Sequence, residues 1–199
     1  MNLIFSIFLI IVVVMLPLIK FYQRSNWTKK QRLVNILLFA FSFLLIYAPL
    51  HEFCHFISGK LMNVEIIDYQ FYSKYSSGEF QNAYVNFSEL TTNQKFIITI
   101  APYVKSVIFA FVSFLVLRKK RIKSSFLVGL FFSIGLLFSA FDIVDNLLGY
   151  INKFGDWNSI SKIIGHFWTW FIGISMLSVT LFFTYRIFTT HKGFPENND

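Results

Sequence analysis

The sequence predicts an all-α polytopic membrane protein with about five transmembrane helices and a small β-hairpin between the second and third. Three observations carry that reading. Of 199 residues, 55% are hydrophobic and only 14% are charged, with 27 phenylalanines, so too little charge remains to cover a water-facing surface. Apolar stretches recur at close to the length, about 20 residues, that a helix needs to cross a bilayer. The basic residues sit in short clusters beside those stretches, where charge reports topology.

Taken in order, the expected spans are Leu3–Ile19, Leu33–Leu50, Phe96–Leu117 interrupted by Lys105, Phe126–Leu148 and Phe167–Tyr185. The first has no basic residue before it and no small-residue cleavage site after it, which reads as a retained helix and not a removed signal peptide. Between the second and third spans, Val64–Tyr72 and Glu79–Phe87 are rich in β-branched and aromatic residues around Ser76-Ser77-Gly78, the pattern of a hairpin. Pro195–Asp199 is expected to be a frayed tail. The whole chain, 1–199, reads as a single membrane-embedded domain. Its core is 33–164, with an extra N-terminal helix and basic loop at 1–32 and a last helix and tail at 167–199.

Lys20, Arg24, Lys29, Lys30 and Arg32 fall in the first loop, and Arg118, Lys119, Lys120, Arg121 and Lys123 in the third, with no acid in either. Both loops should face the cytoplasm, here of a bacterial cell membrane. Five spans with the N-terminus outside and the C-terminus inside satisfy every loop. The net charge of +8 is accounted for by these clusters, so nucleic acid is not an expected partner. The lone cysteine, Cys54, allows no internal disulfide.

One pattern carries chemistry. In His51-Glu52-Phe53-Cys54-His55 the two histidines are four apart, so on a helix both imidazoles face one ion while Glu52 projects beside them. Zinc held by two histidines and a carboxylate keeps a position open for water, and a neighbouring glutamate can act as general base and then acid. A chance origin for such a grouping has odds on the order of a few per thousand in a chain this short. Placing a charge in an apolar helix costs about 2.5 kcal/mol or more without pairing or hydration, which makes function the default reading. Cys54 points off the two-histidine face and reads as a packing residue. Pro49 removes a backbone hydrogen bond just before the motif and predicts a kink there.

A third ligand is less legible. A metzincin needs a further histidine where Leu61 stands, so that class is excluded. Asp142, Asp145, Asp156, Glu65, Glu79, Glu89 and His166 remain as candidates. Asp142, Asp145 and Asn146 lie at i, i+3 and i+4 near the outer end of the fourth span, and Asp156 follows on the same side. Lys105 is the cation expected to relieve the repulsion between the two aspartates, by pairing with one of them.

The motif on a membrane helix, a following hairpin, Ala101-Pro102, and finally Asn146-Leu147-Leu148 with Gly155-Asp156-Trp157 together resemble the site-2 protease family. That family's pattern runs HExxH, a Gly-Pro element, then Asn-x-x-Pro leading to Asp-Gly. The resemblance covers roughly Leu33–Ile164 and implies a divergent member. Ala101 precedes the proline where glycine is usual, Lys105 stands where asparagine is common, Gly149 replaces the proline after Asn146, and Trp157 replaces the glycine after aspartate. What it implies is that Asp156 is the third zinc ligand and that Asn146 helps hold the substrate backbone; Asp142, Asp145 and Lys105 are expected around them from their own positions on the spans. It also implies an intramembrane zinc metalloprotease acting on a membrane-anchored peptide or protein. The family tends to place its zinc nearer the cytoplasm, whereas the basic loops here put the motif towards the outside. Two other classes compete: a non-catalytic membrane protein that transports, senses or scaffolds through a bound metal, and a zinc-dependent hydrolase acting on lipid. Against transport, the polar residues gather near one membrane face and form no chain across it.

Overall fold

In a computed structural model, residues 12, 15–24, 27–76, 79–119, 122 and 124–190 are described. Most of the first expected span, Leu3–Ile19, lies outside them, as do Ser77-Gly78 at the hairpin tip, Lys120, Arg121 and Lys123 in the third loop, and the tail. A short helix α1 (Leu16–Arg24) is followed by α2 (Lys29–Leu61). Four short strands come next: β1 (Ile66–Gln70), β2 (Lys74–Ser76), β3 (Glu79–Gln81) and β4 (Tyr84–Phe87). Then come α3 (Thr92–Arg118), α4 (Ser125–Leu130), a π-helical stretch (Phe131–Leu137), α5 (Phe138–Ile151), α6 (Asp156–Ile164) and α7 (His166–Thr190).

Among the described residues four helical segments are long and apolar enough to cross a membrane: α2, α3, the continuous rod Ser125–Ile151, and α7. They match the last four expected spans and overrun them at the ends. Two differences concern local structure. Lys20 lies in α1, and Lys29, Lys30 and Arg32 form the first turn of α2, so the first basic cluster is largely helical and not looped. The segment 149–166, expected to be a loop, contains α6, a nine-residue helix that crosses nothing.

The long helices begin where their sequences say they should. Thr28 and Thr91 each accept a hydrogen bond from the backbone N–H three residues on, and Gln31 and Gln94 reach back to the cap N–H, closing two capping boxes. Helix α2 runs through Pro49 to Leu61 without a break, carrying the histidine motif in its second half. The rod Ser125–Ile151 is the most buried of the four, with the others packed around it. Its π-helical stretch adds a residue to the turn, which re-aims the side chains that follow. Phe39, Phe43 and Tyr47, one turn apart on α2, pack against Phe138 and Phe141 of the rod, Phe39 tilted and the other two edge-on.

The expected hairpin forms in two paired sections. β1 pairs antiparallel with β4, aligning Tyr69 with Val85 and Gln70 with Tyr84, with an irregularity between Ile66 and Asp68. β2 pairs with β3 nearer the tip. Gly59, one turn beyond His55, holds the hairpin against α2: a Cβ there would stand 2.3 Å from the Phe87 ring.

Gly135 makes a comparable approach in the bundle, where an added Cβ would stand 2.5 Å from Ser113 Cβ of α3. Gly135→Ala is therefore expected to lower stability in detergent by about 1–3 kcal/mol through overpacking. Adding Ser113→Gly should restore most of the loss, as read from thermal unfolding of the two variants.

Candidate metal centre

His51 and His55 stand one turn apart on α2, with ring centroids 5.0 Å apart and planes nearly perpendicular. Opposite them is Asp156, the first residue of α6. Gly155 before it has φ +78° and ψ −174°, a backbone conformation that a Cβ would strain and that turns the chain so that Asp156 meets α2. Asp156 Oδ2 lies 3.1 Å from His51 Nε2 and 3.1 Å from His55 Nε2. Among the described residues this is the one group of three such side chains whose donor atoms converge, all within 4.8 Å of one another.

The far sides of the rings decide what the near sides offer. His55 Nδ1 is 2.9 Å from the Ile98 carbonyl oxygen of α3, which only accepts, so the proton sits on Nδ1. His51 Nδ1 is 2.7 Å from Asp142 Oδ1. Asp142, 1% exposed, is surrounded by donors: Ser106 Oγ at 2.7 Å and Lys105 Nζ at 3.4 Å on Oδ2, and the Tyr47 hydroxyl at 3.3 Å on Oδ1. Such a carboxylate is an acceptor, and His51 donates to it. In their neutral form, with the proton on Nδ1, both imidazoles turn a bare Nε2 lone pair towards Asp156. Two lone pairs and an anion at 3.1 Å repel one another unless a proton or a metal cation lies between them. Two imidazole nitrogens and one carboxylate oxygen, each ring fixed from behind, are a donor set that suits a metal ion with an open position.

Of the expected residues, His51, His55 and Asp156 come together here. Glu52, half-buried, faces two adjoining cavities. One, of about 190 Å³, is polar and bounded by His51, Asp145, Asn146 and Asn82. The other, of about 250 Å³, is bounded by His55, Asp156, Lys95 and the β4 residues Tyr84 and Val85. Asp142 stands behind His51 and not at the converging atoms, with Lys105 paired to it. Asn146 donates to the Asp142 backbone carbonyl at 3.1 Å and borders the polar cavity. His166 is engaged with the Tyr150 hydroxyl. Cys54 is a free, partly buried thiol outside the converging group.

Tyr47, which reaches Asp142 from α2, and two residues of α3 are not marked by the sequence. Tyr103, fully buried, donates its hydroxyl to Asp156 Oδ2 at 2.9 Å and packs 4.7 Å from Trp157, also fully buried. Ser106, one turn on, donates to Asp142. Both polar groups lie at i and i+3 on a span-length helix beside Lys105, and that shared polar stripe is the signal that could have marked them.

Comparison with known proteins returns no match to a protein-family model, a curated protein or a solved structure.

Residues that orient metal ligands from behind commonly contribute 10–100-fold to affinity. Tyr103→Phe, which keeps the ring against Trp157, and Asp142→Ala should each weaken metal binding by about that factor in chelator competition. Binding should also weaken as pH falls, because protons then compete for Nε2 of both histidines.

Proposed function

We propose that this chain is an integral membrane zinc endopeptidase of the site-2 protease type, which hydrolyses a peptide bond in a membrane-anchored peptide or protein. The observation that supports this most is the position of Glu52. It lies next to the converging histidines and Asp156 and borders both cavities, so a substrate crossing from one to the other passes its carboxylate. His51, His55 and Asp156 are the proposed ligands. A zinc ion held by them supplies Lewis acidity, polarising a carbonyl and acidifying water towards neutral pH.

The chain's own groups would do the rest. Glu52 takes a proton from the attacking water and returns it to the departing amide nitrogen, leaving a carboxylic acid and an amine. Asn146 and Asn82 flank one side of the path and offer amide groups to an extended backbone. On the other side β4 pairs with β1 along one edge only, and its residues Tyr84, Val85 and Phe87 border the cavity over Glu52. An extended substrate can add to such an edge by main-chain hydrogen bonds. Asp145 borders the polar cavity, while Asp142 and Lys105 keep His51 in its tautomer. The charge clusters favour the N-terminus outside and the C-terminus in the cytoplasm.

Glu52→Gln should retain the metal and lose at least about 100-fold in cleavage rate, the usual share of general acid–base catalysis. Purified protein in detergent with a quenched fluorescent peptide gives the rate, and elemental analysis gives the metal. Cleavage that survives in this variant would refute the mechanism. Metal binding in a wild type that cleaves nothing would favour the non-catalytic reading.

A further inference from the structure

Every element that builds the site places it at one end of the bundle, the end opposite the two basic clusters. Arg32 marks the basic end of α2, and at about 1.5 Å of rise per residue His51 stands about 28 Å further along the axis. A hydrocarbon core is about 30 Å thick, and a tilt near 20° changes this distance little. The hydrogen bond from His55 to the Ile98 carbonyl fixes the level independently on α3. Ile98 is only about 3 Å inside Phe96, the first apolar residue of that helix, which follows the polar run Thr92-Asn93-Gln94-Lys95. Measured from the basic end of α3, at Arg118, Ile98 lies about 30 Å away. The third candidate ligand, Asp156, is supplied by α6, which belongs to none of the four span-length segments.

The surface at that level is of the kind that meets a lipid–water boundary. Helix α7 opens with Phe167, Trp168, Trp170 and Phe171, all exposed, and Arg186 lies about 28 Å below Phe167 along the same helix. Aromatic side chains gather at such boundaries. The hairpin turns out Ile67, Tyr69 and Tyr72, each more than half exposed, beside an aromatic cluster of Phe53, Phe56 and Phe71. Large apolar groups exposed at this level are covered when the hairpin rests on the bilayer surface.

From this geometry we infer that the bond cut is juxtamembrane: the substrate is a membrane-anchored chain whose extended segment emerges at the face opposite the basic loops, within a few residues of the end of its apolar span. This rests on the protease reading above and sharpens it. A bond in mid-span would have to be unwound in hydrocarbon and lifted by half the core thickness to reach Glu52. A bond at the end of a span has neighbouring backbone groups that no helix satisfies, and they are free to pair with β4.

Two measurements on the full-length protein in phosphatidylcholine–phosphatidylglycerol liposomes test this. In a Cys54→Ser background, nitroxide labels at Ile67→Cys and Phe154→Cys, with Phe41→Cys as the mid-core reference, report depth by collision with oxygen against a water-soluble nickel complex. The first two should read at the interface and the third in the core. With the native cysteine retained, zinc-loaded protein is given two single-span Leu/Ala peptides. One carries a flexible Gly/Ser/Ala segment in mid-span and the other carries it at the end of the span, with cut sites read by mass spectrometry. Cuts are expected in the second peptide, at the face opposite the basic loops, at a rate at least tenfold that of the first. Core-depth labels, or cuts confined to mid-span, would overturn the inference and leave the protease reading standing. Interfacial labels with neither peptide cut would overturn both.

Discussion

Three electron-rich atoms are held against one another at the end of this bundle, and much of the surrounding structure acts to keep them there. His51 Nε2, His55 Nε2 and Asp156 Oδ2 converge because their rings are anchored from behind, by Asp142 and by the Ile98 carbonyl. With both ring protons on Nδ1 in the neutral form, the Tyr103 hydroxyl meets Asp156 Oδ2 from one side, and among the described residues no donor stands between that oxygen and the two Nε2 lone pairs. In a partly desolvated setting their repulsion is poorly screened, so a cation is the natural partner of the arrangement. This constraint explains why so many polar groups are found in a chain otherwise made for lipid.

The supporting groups come from different elements, which ties metal binding to the fold. Asp142 sits on the buried central rod, Tyr103, Lys105 and Ser106 on α3, and Tyr47 on α2. Asp156 arrives on α6, where the conformation of Gly155 turns the chain and the Tyr103–Trp157 stack fixes it. The negative side chain at the N-terminus of α6 also suits the positive end of that helix's dipole.

Legibility in the sequence followed how local each signal is. Hydropathy alone marked the four span-length segments, because a run of apolar residues such as Phe126–Leu148 has one physical reading in lipid. The hairpin was visible for a similar reason, from β-branched and aromatic runs flanking a Ser-Ser-Gly turn. His51, Glu52 and His55 were visible because their spacing is a helix period. Helix α6 was missed: Asp156–Ile164 mixes polar and apolar residues too evenly for a span and is too short for a strong helical period. Asp156 could be singled out only through resemblance, since its approach to α2 depends on a tertiary turn at Gly155. The roles of Tyr103, Ser106 and Asp142 depend on contacts between helices far apart in the chain, which no local pattern encodes. Helix α2 continues through Pro49 without a break, the rest of the helix running on around the missing hydrogen bond.

Every role assigned to these side chains requires that the three atoms hold a metal. Elemental analysis of the purified wild type beside His51→Ala and Asp156→Ala tests this without reference to any substrate. Close to one zinc per wild-type chain, and little in either variant, is the predicted result. Zinc retained at the wild-type level by Asp156→Ala, or absent from the wild type after loading, would contradict it.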